Sequence, residues 1–130
     1  MRIGLIFILL GFSFLTSTGR AQTEQSSLKV ALVQAQLAWG NVDANLEAFD
    51  RRIRQCTNCD LIVFPELFTS GCEMKKKNAQ EKADLKDLVA AQYPRIIQYM
   101  QQWARETQAL IIGSTIYKEE NLYFNRLLAV

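Results

Sequence analysis

The chain has 130 residues, 49% of them hydrophobic and 22% charged, which excludes a disordered or collagen-like protein and allows one domain with a workable core. A net charge of +2 gives no electrostatic reason to expect nucleic acid or an acidic membrane surface as a partner. There is no histidine, which removes the Ser-His dyad and most zinc sites and leaves carboxylate, lysine or cysteine to carry any hydrolytic chemistry.

Residues 1–21 read as an address. Arg2 supplies a positive start, residues 3–15 are almost wholly apolar, and Gly19-Arg20-Ala21 places small residues where a signal peptidase reads. The apolar run is shorter than the roughly 20 residues a membrane span requires, so no stable span is expected. The pattern predicts export to the periplasm or beyond; a start codon set too far upstream would instead leave the protein cytoplasmic. Residues 22–27 form a polar spacer, and the fold is expected to occupy residues 28–130.

The apolar pattern predicts a short buried strand over residues 28–35, with Val30, Leu32 and Val33 close together. Gly40-Asn41 marks a turn, and Asp43 is placed to cap a helix running to about Gln55 with Leu46, Phe49 and Ile53 on one face. Asp60 opens a second strand, Leu61-Ile62-Val63-Phe64, closed by Pro65; so short an apolar run between breakers reads as a parallel strand covered on both faces. Residues 69–93 give a mixed, lysine-rich signal with helical character around Leu85, Leu88 and Val89. The run Lys75-Lys76-Lys77, followed by Glu81, Asp84 and Asp87, reads as a solvated loop. Pro94 fits the first turn of a further helix carrying Ile96, Ile97, Met100, Trp103 and Ala104 on one stripe. A third strand is expected over residues 109–112, ended by Gly113, and Asn121 turns the chain into a fourth over residues 122–130. The order strand, helix, strand, helix, strand, strand is an α/β pattern. The last strand is still apolar at Val130, which reads as a protein that continues and, if left open, as an aggregation-prone edge.

The strongest chemical signal is Phe64-Pro65-Glu66-Leu67-Phe68-Thr69-Ser70-Gly71. Glu66 falls just past the carboxyl end of a buried strand, where ligand sites form in open α/β folds. Phe64, Leu67 and Phe68 are near enough in sequence to desolvate its carboxylate and suit it to accepting a proton near neutral pH. The plainer alternative is a loop carboxylate that caps a turn. Trp103, Met100, Phe49 and Phe124 have core spacing; Asn125 reads as a side chain holding a turn or sheet edge, and Gly71 and Gly113 as backbone geometry. Cys56-Thr57-Asn58-Cys59 is a single C-x-x-C, and with no second pair and no histidine it supports a secreted redox or metal module only weakly. It follows a helix, where the dipole disfavours a thiolate, so a local disulfide in an exported chain is the more modest reading. Cys72, beside Gly71, reads as a thiol without a role, since a reactive one needs a positioned base and electropositive surroundings.

Taken together, several segments resemble the nitrilase superfamily of carbon–nitrogen hydrolases. Lys29-Val30-Ala31-Leu32-Val33-Gln34 is similar to the opening strand of its amidases, and Trp39-Gly40-Asn41 with the helix near Asn45-Leu46 is similar to their first helix. Leu61-Ile62-Val63-Phe64-Pro65-Glu66 resembles the segment holding the family's catalytic glutamate; Glu66-Leu67-Phe68-Thr69-Ser70-Gly71 looks most like the omega-amidase branch. Ala109-Leu110-Ile111-Ile112-Gly113-Ser114 and Asn125-Arg126 resemble the third and fourth strands. The resemblance implies a nitrilase-type αββα sandwich, of which only the first strands and helices are present. It also implies a Glu-Lys-Cys triad without metal or organic cofactor, acting on small linear monoamides of dicarboxylic acids. Glu66 is then the general base; the lysine and cysteine lie downstream in the family, and no lysine or cysteine here matches their motifs. The expected partners are a small amide substrate and a second copy in a homodimer, with no nucleic acid. A short non-catalytic product that binds another chain remains the rival reading.

Overall fold

The computed structural model describes residues 27–71 and 78–130. The expected signal segment, all of the spacer but its last residue, Cys72 and the lysine run at Lys75-Lys76-Lys77 lie outside the described residues.

The chain order is β1 (Val30–Leu32), α1 (Val42–Ile53), β2 (Leu61–Val63), α2 (Ala79–Ala91), α3 (Tyr93–Thr107), β3 (Leu110–Glu119) and β4 (Leu122–Ala129). One sheet holds the strands in the order β1-β2-β3-β4. β1, β2 and β3 run parallel, and β4 returns antiparallel beside β3. The α/β pattern therefore stands, with α2 as an additional helix where residues 69–93 gave a mixed signal.

Two of the three helices begin where a side chain satisfies their free amides. Asn41, rather than Asp43, caps α1, its side-chain oxygen accepting from the Ala44 N–H at 3.0 Å. Asp43 sits within the first turn, where its charge suits the dipole, and pairs with Arg95 of α3. Asn78 and Glu81 form a reciprocal capping box at the start of α2. Pro94 takes the first turn of α3, where it forfeits no helical hydrogen bond. α3 ends on Gln108 in the left-handed conformation, φ +54°.

The apolar stripes meet on one face of the sheet. Leu46, Phe49 and Ile53 of α1 and Ile96, Met100 and Trp103 of α3 are buried with Ile62, Ile111 and Leu128 of the strands. Phe64 is the hub of the aromatic core: its ring lies 4.7 Å from Phe49, 4.9 Å from Phe68 and 5.7 Å from Trp103 between centroids. The Trp103 indole N–H donates to Asp50 at 2.9 Å, tying α3 to α1.

Further expectations need correction. Gly113 does not end the third strand, because β4 pairs along β3 from Ile112 to Glu119 and carries the ladder past the glycine. The turn that joins the two falls on Glu120-Asn121, with Glu120 at φ +53°. Phe124, expected in the core, is 43% exposed, and β1, expected as a buried strand, leaves Val30 and Leu32 at 46% and 71% exposure, with only Val33 just beyond it buried. The reading of β2 as covered on both faces is half right. The helices cover one side, whereas the other presents Val30, Leu32, Leu110 and Leu127 at 46% to 71% exposure. Register places Val30, Leu61 and Leu110 in one row of that open face and Leu32, Val63 and Ile112 in the next.

Candidate active site

Parallel strands leave their carboxyl ends together, and there the chain after β2 is most heavily tied down. Phe64 N–H donates to the Ile112 carbonyl at 2.8 Å, extending the pairing with β3 up to Pro65. Leu67 then turns left-handed at φ +48°, a conformation that is costly for a branched side chain. Its N–H donates to the Ser114 hydroxyl oxygen on β3 at 3.0 Å. Two residues on, the Thr69 hydroxyl meets that of Thr115 at 2.6 Å in a fully buried contact. The Thr69 carbonyl accepts from the Asn45 side-chain amide at 2.9 Å, and the Ser70 carbonyl from the Gly40 N–H at 2.7 Å. Gly71 closes the loop at φ +70°, a value glycine adopts without strain.

Asn45 is almost wholly buried, and every polar atom of its side chain is used. Besides Thr69, the amide group donates to the Ala38 carbonyl at 2.8 Å, and its oxygen accepts from the Ala38 N–H at 2.8 Å. One side chain on α1 thus joins the loop after β1 to the loop after β2.

Gly113 sets how closely that loop approaches the sheet. A Cβ there would lie 3.0 Å from two ring atoms of Phe68 and 3.2 Å from Phe64. Without it, the Phe68 ring settles against β3 and draws the Glu66-Leu67 turn over the strand ends.

This scaffold presents Glu66 at an open hollow of about 360 Å³. Val63 and Pro65, Ile112 and Ser114 of β3, and Asn125 and Leu127 of β4 share the lining. The Asn125 amide donates to Glu66 Oε1 at 2.6 Å. The neighbouring Arg126 points the other way, its guanidinium 3.3 Å from the centre of the Tyr117 ring. Of the Asn125-Arg126 pair, only Asn125 joins the hollow.

The expected desolvation of Glu66 by its neighbours is not found. Glu66 is exposed, while Phe64 and Phe68 are buried in the core beneath it. Ser114 and Asn125 were missed as companions of Glu66 in the sequence. Their signal was slight: each is a polar residue in a strand row shared with Ile112, Leu127 and Ala129.

The C-x-x-C lies elsewhere. Cys56 and Cys59 are free, half-buried thiols flanking the turn Thr57-Asn58 beyond the end of α1. Burial pushes the Cys56 thiol up, and Cys59 nearby adds to the effect, the reverse of what an attacking thiolate needs. Among the described residues no group of three histidine, cysteine or carboxylate side chains is placed to hold a metal ion, and no helix is long and apolar enough to cross a membrane.

The carbon–nitrogen hydrolase family model matches residues 29–130. The chain belongs to the carbon–nitrogen hydrolase family. It is 35% identical over 103 residues to the omega-amidase YafV of Escherichia coli K12, an alignment covering 79% of this chain and 36% of that protein. It is 35% identical over 105 residues to the omega-amidase YafV of Yersinia enterocolitica, covering 81% and 37% respectively. The chain thus spans little more than a third of the length of these relatives. Among solved structures it resembles XC1258 from Xanthomonas campestris, a CN-hydrolase superfamily protein crystallised with an arsenic adduct in its active site. That match has a TM-score of 0.66 at 25% identity and covers 79% of this chain and 36% of the other. The parallel strands, the turn after β2 and the hairpin that follows are thus a nitrilase-type α/β fragment.

Proposed function

We propose that the chain supplies the general base of an amide hydrolase acting on small linear monoamides of dicarboxylic acids. The observation that carries this reading is the placement of Glu66: exposed at the mouth of a hollow, past the end of a parallel strand, on a loop anchored at almost every residue. The two omega-amidase relatives support the choice of substrate class.

The chemistry follows from what a carboxylate can do there. Cysteine is mostly protonated at neutral pH, with an ordinary pKa of about 8.5, and attacks only as thiolate. Glu66 accepts the thiol proton, and the sulfur attacks the amide carbonyl carbon. Glu66 returns that proton to the nitrogen, the C–N bond breaks and ammonia leaves an acyl-thioester. Water, deprotonated by the same carboxylate, then releases the acid and restores the thiol. A lysine ammonium beside the carbonyl oxygen stabilises the charge of both tetrahedral intermediates. Cysteine and lysine are assigned by family resemblance to segments downstream of those matched here.

The test is ammonia release from monoamides of four- and five-carbon dicarboxylic acids, measured for a family-length protein carrying this chain and for residues 1–130 alone. The longer protein is expected to hydrolyse these monoamides faster than the corresponding diamides, and the shorter chain to match its own Glu66→Ala control. Equal rates on all amides would remove the substrate assignment, and release by the short chain above its control would remove the need for a downstream nucleophile.

A second reading, attachment to another polypeptide layer, is favoured by the open face, where Leu32 and Leu127 are 71% and 68% exposed. Contiguous exposed apolar rows mark surfaces that another layer covers.

A further inference from the structure

We infer that Asn125 is a positioning residue for Glu66, and that with Ser114 it makes the β3–β4 hairpin the device that orients the proposed base; this rests on the reading of Glu66 given above. The two side chains grip consecutive residues. Asn125 Nδ2 donates to Glu66 Oε1 at 2.6 Å, and the Ser114 Oγ accepts from the Leu67 N–H at 3.0 Å. Register explains how. Ser114 pairs with Leu127 and Ile116 with Asn125, so Ser114 and Asn125 are diagonal neighbours on one face of the hairpin. Both line the hollow that Glu66 enters.

The grip has something to hold. Leu67 is left-handed at φ +48°, and such a residue persists only where its surroundings fix it. Ser114 fixes the backbone just after Glu66, and Asn125 fixes the side chain itself. An exposed glutamate would otherwise sample several rotamers about three flexible bonds.

The choice of asparagine is chemically specific. Its amide is a neutral donor, so it orients a carboxylate without neutralising it, as arginine or lysine would. With Oε1 engaged, Oε2 is the oxygen left to take a proton. Asparagine is also short enough to act from the strand without filling the hollow.

The experiment has two arms. In the 130-residue chain, the Asn125 side-chain amide resonances are followed by ¹⁵N NMR during acidification. They are expected to move as the Glu66 carboxylate is protonated and to stay still in Glu66→Gln; movement that survives Glu66→Gln overturns the contact. In the family-length protein, Asn125→Leu is expected to lower kcat by about 10- to 100-fold with KM within about twofold, the scale of a misplaced reacting group. Asn125→Gln, which keeps the donor on a longer arm, is expected to recover part of that loss. A merely structural asparagine would change stability and leave kcat per folded molecule alone. Wild-type kcat in Asn125→Leu, where Glu66→Gln is inactive, overturns the inference while sparing the base. Full activity in Glu66→Gln removes the base and, with it, the catalytic meaning of the clamp, whatever the NMR arm shows of the contact.

Discussion

Adding one methyl group at Gly113 tests how the Glu66 loop is seated. The glycine is not in a left-handed conformation, so Gly113→Ala introduces no backbone strain and would by itself favour the folded chain by about 0.5–1 kcal/mol through reduced freedom of the unfolded state. Against that, the new carbon would sit 3.0 Å from Phe68 and 3.2 Å from Phe64, tight enough that the rings must shift slightly to admit it. The Phe68 ring is packed on its other sides, fully buried and edge-on to Phe49 at 5.2 Å. Overpacking of this kind costs about 1–3 kcal/mol. The net expectation is a loss of about 1 kcal/mol, or about 4 °C in Tm for a chain of this size. Urea unfolding, followed by the fluorescence of the buried Trp103, measures it directly. The decisive control is Phe68→Leu, which makes space where the methyl group intrudes. The double variant is expected to be about 1 kcal/mol more stable than the sum of the single changes predicts. Additive effects, or a stabilising Gly113→Ala, would refute the claim that ring contact rather than backbone freedom explains this glycine.

Three further outcomes follow from the same structure. Asn45→Ala strips partners from the Ala38 N–H, the Ala38 carbonyl and the Thr69 carbonyl and is expected to cost about 2–4 kcal/mol in denaturant unfolding. Asp50 is held below its ordinary carboxyl value of 3.8, chiefly by the Trp103 N–H and then by Arg54 and Arg51, with burial opposing. Its stabilising contribution is therefore complete at neutral pH and is lost as pH falls past 3.8 through the lower folded value, so the stability gap between wild type and Asp50→Asn should close on acidification. Gln108→Gly, at the left-handed end of α3, is expected to raise stability by about 1 kcal/mol, read as a rise in Tm.

What could be read from the sequence depended on how local the governing interaction was. α1 and α3 were legible because Leu46, Phe49 and Ile53, and Ile96, Met100 and Trp103, recur at helical spacing, and those residues are buried. The cap of α1 was misplaced by two residues because Asn41 and Asp43 are both good cap residues; what separates them is that Asp43 has Arg95 to pair with, 52 positions away. Strand β3 was cut short at Gly113 because glycine usually breaks a strand, and only pairing with β4 and the approach of Phe68 reveal why it is kept. Glu66 was legible because a strand followed by Pro-Glu marks a loop at a sheet end. Its partner Asn125 lies 59 residues away, and nothing in the alternation of β4 says which carboxylate an asparagine will meet. Asn45 was hidden for the same reason: its value lies in the Thr69 carbonyl, 24 residues on.

The central claim is that Glu66 moves the proton that activates the nucleophile. It is tested most directly by comparing kcat for monoamide hydrolysis in wild-type and Glu66→Gln forms of the family-length protein, with folding of both checked by circular dichroism. The account predicts a fall of about 10²- to 10⁴-fold, the span a general base contributes, with the fold unchanged because Glu66 is exposed. A Glu66→Gln protein that is folded and hydrolyses at the wild-type rate would contradict it.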